Sequence, residues 1–110
     1  MGADIPREIR RFGTRGAIAF VHFRDVRGTP ERFVETFHDD GQTDMFEAMR
    51  TYREVGFSGV VRPDHVPTMA EEPNDTPGYQ ILGRLFALGY IKGLWEAVAK
   101  EDRSEGSRYT

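Results

Sequence analysis

The stretch GVVRPDHVPTM, residues 59–69, decides how this chain folds. Two valines lead into Arg62, Pro63, Asp64 and His65, and there the apolar pattern stops. Proline lacks a backbone N–H, so it tolerates the end of a paired strand but not its middle. The stretch therefore reads as a strand over residues 59–62 that delivers an acid and a histidine to its carboxyl end.

Working outward, the strand is entered by a very short connection at residues 56–58. Before it, Asp44 is an N-cap and Glu47, three residues on, completes a capping box. Met45, Ala48, Met49, Tyr52 and Val55 follow at helical spacing, and Gly56 closes the helix. Further back, AIAFVHF, residues 17–23, is a nearly continuous apolar run, which suits a parallel strand covered on both faces. IPREIRRFG, residues 5–13, reads as a short helix ended by Gly13, with arginines suited to its C-terminal dipole.

Two long polar loops follow the two strands. RDVRGTPERFVETFHDDGQT, residues 24–43, is too long for an idle turn, and a short helix is expected within it near residues 30–37. VPTMAEEPNDTP, residues 66–77, leads to a last helix over residues 78–98, with Leu82, Leu85, Phe86 and Leu94 on its apolar side. Gly83, Gly89 and Gly93 weaken that helix alone but allow close packing. Residues 1–98 form one unit, and residues 99–110 read as a disordered tail.

The order helix, strand, helix, strand, helix predicts an α/β fold with a parallel sheet and helical crossovers. Long βα loops and short αβ returns are the means by which a (β/α)₈ barrel places chemistry on one face. A complete barrel needs about 250 residues. Two strands make only a piece of one.

Composition narrows the partners. The chain of 110 residues carries a net charge of −3, which offers no basic surface for nucleic acid. No apolar run approaches the ~20 residues that span a bilayer, and the charged N-terminus lacks the apolar core of a signal peptide. A cytoplasmic location is the default. With no cysteine, disulfides and thiolate metal sites within the chain are excluded. Lys92 and Lys100 are the only lysines, so arginine carries nearly all the positive charge. Genome composition explains that first, and added capacity for binding carboxylates second.

His22 and Arg24 are two apart at the end of the first strand and share a face, whereas Phe23 points the other way. Ile18 and Phe20 continue the His22 face downward as core layers. Asp64 occupies the equivalent end of the next strand, and neighbouring strands lie ~4.8 Å apart. An imidazole and a carboxylate so placed can share one cation. A mixed N/O site suits Mn²⁺, Fe²⁺, Co²⁺, Ni²⁺ or Zn²⁺. The plainer readings are a hydrogen-bonded His22, a turn or N-cap role for Asp64, and ion pairing for Arg24 and Arg62. FHDDGQTD, with His38, reads by default as a solvated turn, and Tyr79 as a packing residue at a helix start. It is the paired strand ends and the two long loops together that favour a site.

FVHFRDVRGTPERFVETFHDDGQTDM, RPDHVPTM and NDTPGYQILGRLFALGYIKGL together resemble the C-terminal part of the mannonate dehydratase family, over nearly the whole chain to about residue 98. The resemblance implies a C-terminal fragment of a xylose-isomerase-like (β/α)₈ TIM barrel, comprising two parallel strands with flanking helices. It implies a hydro-lyase of glucuronate catabolism that converts D-mannonate to 2-keto-3-deoxy-D-gluconate and water. It implies a divalent metal, Mn²⁺ first, with Fe²⁺, Co²⁺ or Ni²⁺ as alternatives. His22 and Asp64 match the family's metal-binding histidine and aspartate. Arg24, His65 and Tyr79 match positions with roles in substrate binding or proton transfer.

The resemblance also implies two more ligands, a histidine and a cysteine, from an N-terminal region outside these 110 residues. The expected partners are therefore the sugar acid, the missing N-terminal barrel segment, or a second copy in a homo-oligomer. Nucleic acid and membrane are not expected.

Dehydrating such an acid removes the proton beside the carboxylate and expels the neighbouring hydroxyl. Histidine, with an ordinary pKa of about 6.5, and tyrosine, near ~10, form a workable acid–base set, with the order between His65 and Tyr79 open. A metal-dependent sugar isomerase or epimerase on the same barrel, and a non-catalytic truncated fragment, are the competing readings.

Overall fold

The computed structural model describes residues 2–75 and 78–108. Its first helix, α1, spans Ile5–Gly13, as the sequence predicts. The Asp4 side chain caps it by accepting from the Arg7 amide, Pro6 sits in the first turn, and Arg10 and Arg11 occupy the last. Strand β1 follows at Phe20–Phe23 and is shorter than the apolar run that announced it.

The long connection after β1 holds no helix. Residues 30–37, expected to be helical, instead contribute to a β-hairpin of β2 (Val26–Thr29) and β3 (Arg32–Glu35). The strands are antiparallel, with Val26 opposite Glu35 and Thr29 opposite Arg32. Local chemistry explains the difference. Pro30 presets the first turn position, and the Arg32 amide donates to Thr29 Oγ1 at 3.2 Å. Gly28 has φ +127°, and a Cβ there would lie 2.4 Å from the Arg32 carbonyl oxygen, so only glycine lets the hairpin close.

Helix α2 spans Met45–Glu54 and strand β4 spans Val60–Pro63. Asp44 is the N-cap and accepts from the Glu47 amide at 3.0 Å, while the Glu47 carboxylate binds Arg50. β4 pairs with β1 in parallel, Phe20 opposite Val60 and Phe23 opposite Pro63, so the predicted crossover and its handover at proline are present. Beyond Pro63 the Asp64 amide donates to the Phe23 carbonyl at 3.2 Å, which adds one bond past the end of the ladder.

One face of this two-stranded sheet packs on the helices. Val21 and Phe23 are buried there with Ile9, Met45, Ala48, Met49, Leu94 and Val98. The other face is open. Phe20 and His22 alternate outward, so β1 is not covered on both sides by the described residues.

Helix α3 starts at Ile81 and runs to Arg108. Glu72, from the preceding loop, accepts from the Leu82 amide at 3.0 Å and from the Met69 amide at 2.8 Å, and so binds the loop to the helix start. Residues 99–108, expected to be a disordered tail, continue the helix, while 109–110 lie outside the described residues. Arg50 donates to Glu101 at 3.0 Å, and Arg53 binds Asp102, which ties this extension to α2. The buried face of α3 also differs from the expected one. Gly83, Ala87, Leu94 and Val98 face inward, whereas Leu82, Leu85 and Phe86 are exposed. Gly83 does allow a close approach, since a Cβ there would sit 2.8 Å from Val66 Cγ2. Gly89 and Gly93 face open space.

Candidate functional site

The carboxyl ends of β1 and β4 bring the sequence candidates together. His22, on the open face of β1, lies opposite Arg62 in the ladder and reaches past it to Asp64, with Nδ1 3.5 Å from Oδ1. The Phe20 ring meets the imidazole edge-on at 4.9 Å between centroids and limits its swing. About half of the His22 side chain is exposed, while Asp64 is 18 % exposed, so the pair faces outward from a partly sheltered base.

Arg24 extends from just beyond β1 between two acids. One guanidinium nitrogen is 2.8 Å from Glu35 and 3.6 Å from Asp64. His65 follows Asp64, and its Nδ1 is 2.7 Å and 2.8 Å from the two Glu35 carboxylate oxygens. Its other nitrogen, Nε2, is 2.8 Å from the Tyr79 hydroxyl, with the two rings edge to face. The result is a continuous polar chain from His22 through Asp64, Arg24 and Glu35 to His65 and Tyr79. The five residues singled out in the sequence all belong to it.

Glu35 is the member that sequence reading missed. It ends β3, inside the segment expected to be helical. Read as alternating strand residues after a turn at Pro30, Arg32 to Glu35 would have placed Glu35 opposite Val26, two residues from Arg24. That alternation was the available signal.

A buried layer holds these ends in place. His38, expected in a solvated turn, is fully buried and donates from Nε2 to the Phe23 carbonyl, the same oxygen that accepts from the Asp64 amide. Its Nδ1 is buried with no partner among the described residues. Burial holds the His38 pKa below the ordinary imidazole value, against the bond to Phe23 and the nearby Asp25 and Asp64 carboxylates, which act the other way. Asp25 is also buried. Its carboxylate accepts from the Val26 amide at 2.8 Å and the Thr43 amide at 3.1 Å, fastening the hairpin base to the segment before α2.

The His22–Asp64 pair suits part of a metal shell. Ligands about 2.0–2.2 Å from a common ion lie roughly 3–3.6 Å apart, which brackets the spacing here. Among the described residues no group of three or more histidines, cysteines or acids is arranged to hold a metal, so the pair accounts for two donors and no more.

This is an α/β protein whose polar groups gather where adjacent parallel strands end. The profile of the D-mannonate dehydratase (UxuA) family matches residues 1–105. The chain belongs to the D-mannonate dehydratase family. It is 45% identical over 104 residues to a mannonate dehydratase of Enterococcus faecalis, covering 91% of this chain and 28% of the relative. It is 41% identical over 100 residues to one of Thermotoga neapolitana, covering 88% of this chain and 28% of the relative. The crystal structure of mannonate dehydratase from Streptococcus suis serotype 2 superposes with a TM-score of 0.84 at 29% identity, over 90% of this chain and 29% of that one. The chain thus spans between a quarter and a third of the length of the relatives it matches. No helix among the described residues is long and apolar enough to cross a membrane.

Proposed function

We propose that these residues form the C-terminal part of a xylose-isomerase-like (β/α)₈ barrel that dehydrates D-mannonate to 2-keto-3-deoxy-D-gluconate in the cytoplasm. One observation carries this reading: His22 and Asp64 converge within 3.5 Å beside a hydrogen-bonded His65–Tyr79 pair. His22 and Asp64 hold a divalent ion, Mn²⁺ first, together with ligands from the remainder of the barrel. When bound, the ion supplies electrostatic stabilisation of the charge that develops beside the substrate carboxylate.

The other roles fall to groups of this chain. Arg24 has a planar fork of donors suited to a carboxylate, and it already lies against two of them. In the loaded site it orients the sugar acid. His65 and Tyr79 move protons: one takes the proton beside the substrate carboxylate, and the other gives a proton to the departing hydroxyl so that it leaves as water.

The test uses a chimera in which this chain replaces the matching C-terminal segment of the Enterococcus faecalis relative. Formation of a 2-keto-3-deoxy acid from D-mannonate with Mn²⁺ is expected. A product that keeps the water would point to an isomerase or epimerase, and no turnover in a folded, metal-loaded chimera would sink the assignment. Within an active chimera, His65→Ala and Tyr79→Phe each lower turnover at least ~10²-fold. Near-normal turnover in either variant removes that residue from the mechanism.

A further inference from the structure

Glu35 lies 2.7–2.8 Å from His65 Nδ1, and the Tyr79 hydroxyl lies 2.8 Å from Nε2 of the same ring. At hydrogen-bond distance the two ring nitrogens therefore face different chemistry, since the Asp64 carboxylate lies 3.9 Å from Nε2, beyond a hydrogen bond. A carboxylate can only accept, so the nitrogen facing it must carry the proton. In the neutral ring the other nitrogen then has a free lone pair, and it faces a hydroxyl that can donate.

We infer that Glu35 is a positioning residue: it holds His65 in the Nδ1–H tautomer, with the Nε2 lone pair directed at Tyr79. The inference rests on the reading of His65 and Tyr79 as the proton-transfer pair. It gives that pair a direction. A proton leaving the Tyr79 hydroxyl lands on His65 Nε2, the Tyr79 O–H bond breaks as the N–H bond forms, and the resulting imidazolium faces the Glu35 carboxylate. Tyr79 is left as the phenolate and His65 as the charge-stabilised acid.

The same carboxylate accepts from Arg24 at 2.8 Å. Arg24 also lies 3.5 Å from His65 Nδ1, but a guanidinium has no acceptor, and with Nδ1 protonated the two donors share Glu35 between them. Glu35 is about one-quarter exposed and its backbone is fixed in the hairpin ladder opposite Val26, so the carboxylate approaches the ring from a defined direction.

The tautomer can be read directly by long-range proton–nitrogen correlation on the ¹⁵N-labelled chain, without metal or substrate, at mildly alkaline pH. His65 is assigned by the signal lost in His65→Ala. The wild-type chain is expected to show His65 protonated at Nδ1, and Glu35→Ala is expected to shift the proton to Nε2. A wild-type ring protonated at Nε2, or at both nitrogens, overturns the inference, as does a Glu35→Ala chain that keeps the Nδ1–H form. If Glu35→Ala loses a dispersed amide spectrum, Glu35→Val keeps a strand-forming residue and is read the same way. A chimera that fails to dehydrate D-mannonate while the tautomer is as expected would refute the proposed activity and leave Glu35's role on His65 intact. The wrong tautomer in an active chimera would do the reverse.

Discussion

His38 shows how one side chain can be misread from its neighbours in sequence. It stands between Phe37 and two aspartates, a context that reads as a wet turn, yet it is fully buried. The context misled because burial was decided from a distance, by the Phe23 carbonyl that its Nε2 serves. Its pKa is lowered by burial, so between the folded value and about 6.5 the unfolded chain binds the proton more readily than the folded one. The neutral ring's contribution is complete above about pH 6.5 and is lost as pH falls through the folded value. The urea midpoint of the wild-type chain should therefore drop over that window more steeply than that of His38→Gln, as followed by circular dichroism. Coincident slopes would show that the buried ring is not responsible. The nearness of His22, Arg24 and Asp64 was legible because strand ends position them, whereas His65 and Tyr79 were singled out through the family resemblance. Glu35 was not legible, because its partner lies thirty positions away and its own element was misjudged.

At the scale of elements, the helices with polar caps were easier to read than the strands. Asp44 announces α2 and accepts the expected Glu47 amide, while α1 was legible from Gly13 and its last-turn arginines, and its Asp4 cap on the Arg7 amide emerges only in the structure. The hairpin escaped notice because Phe33 and Val34 are exposed, so no buried face imposes a pattern on β3. In α3 Leu82, Leu85 and Phe86 point outward, and Gly83, Ala87, Leu94 and Val98 do the packing. This gives opposite outcomes for two glycines in one helix. Gly89→Ala should stabilise the chain by about 0.5–1 kcal/mol, because alanine is the better helix former and open space surrounds the position. Gly83→Ala should destabilise it by about 1–3 kcal/mol, because the new methyl would meet Val66 Cγ2 at 2.8 Å and the Pro67 carbonyl oxygen at 2.9 Å. Paired urea unfolding curves test both, and equal signs would contradict the packing described.

For the molecule as a whole, the chain is long and lightly covered. Its radius of gyration is 15.4 Å, against about 13 Å for a compact chain of this length. Phe20 and Val60 stand on the open face of the sheet, and Ile81, Leu85 and Leu88 on the outside of α3. An apolar groove of about 620 Å³ runs between Phe57, Val61, Leu88, Ile91 and Trp95. Large apolar groups left in water promote association. The chain by itself should thus self-associate as concentration rises, and Leu88→Glu should shift it toward monomer, measured by size-exclusion chromatography with light scattering. A monomer at every concentration would mean that these surfaces are tolerated by water. The parallel crossover was predictable from the alternation of elements. The amount of open surface was not, since an apolar residue looks the same in sequence whether its cover lies in this chain or elsewhere.

The Phe23 carbonyl gives the two loops a common pivot. A carbonyl oxygen has two lone pairs, and here one is engaged by the ring of His38 and the other by the amide of Asp64. Leaning toward either donor stretches the bond to the other. The segment after the hairpin and the segment after β4 are therefore moored to one atom at the end of β1, and removing the imidazole of His38 would leave the amide of the acid at the strand end as the sole donor of these two to that oxygen.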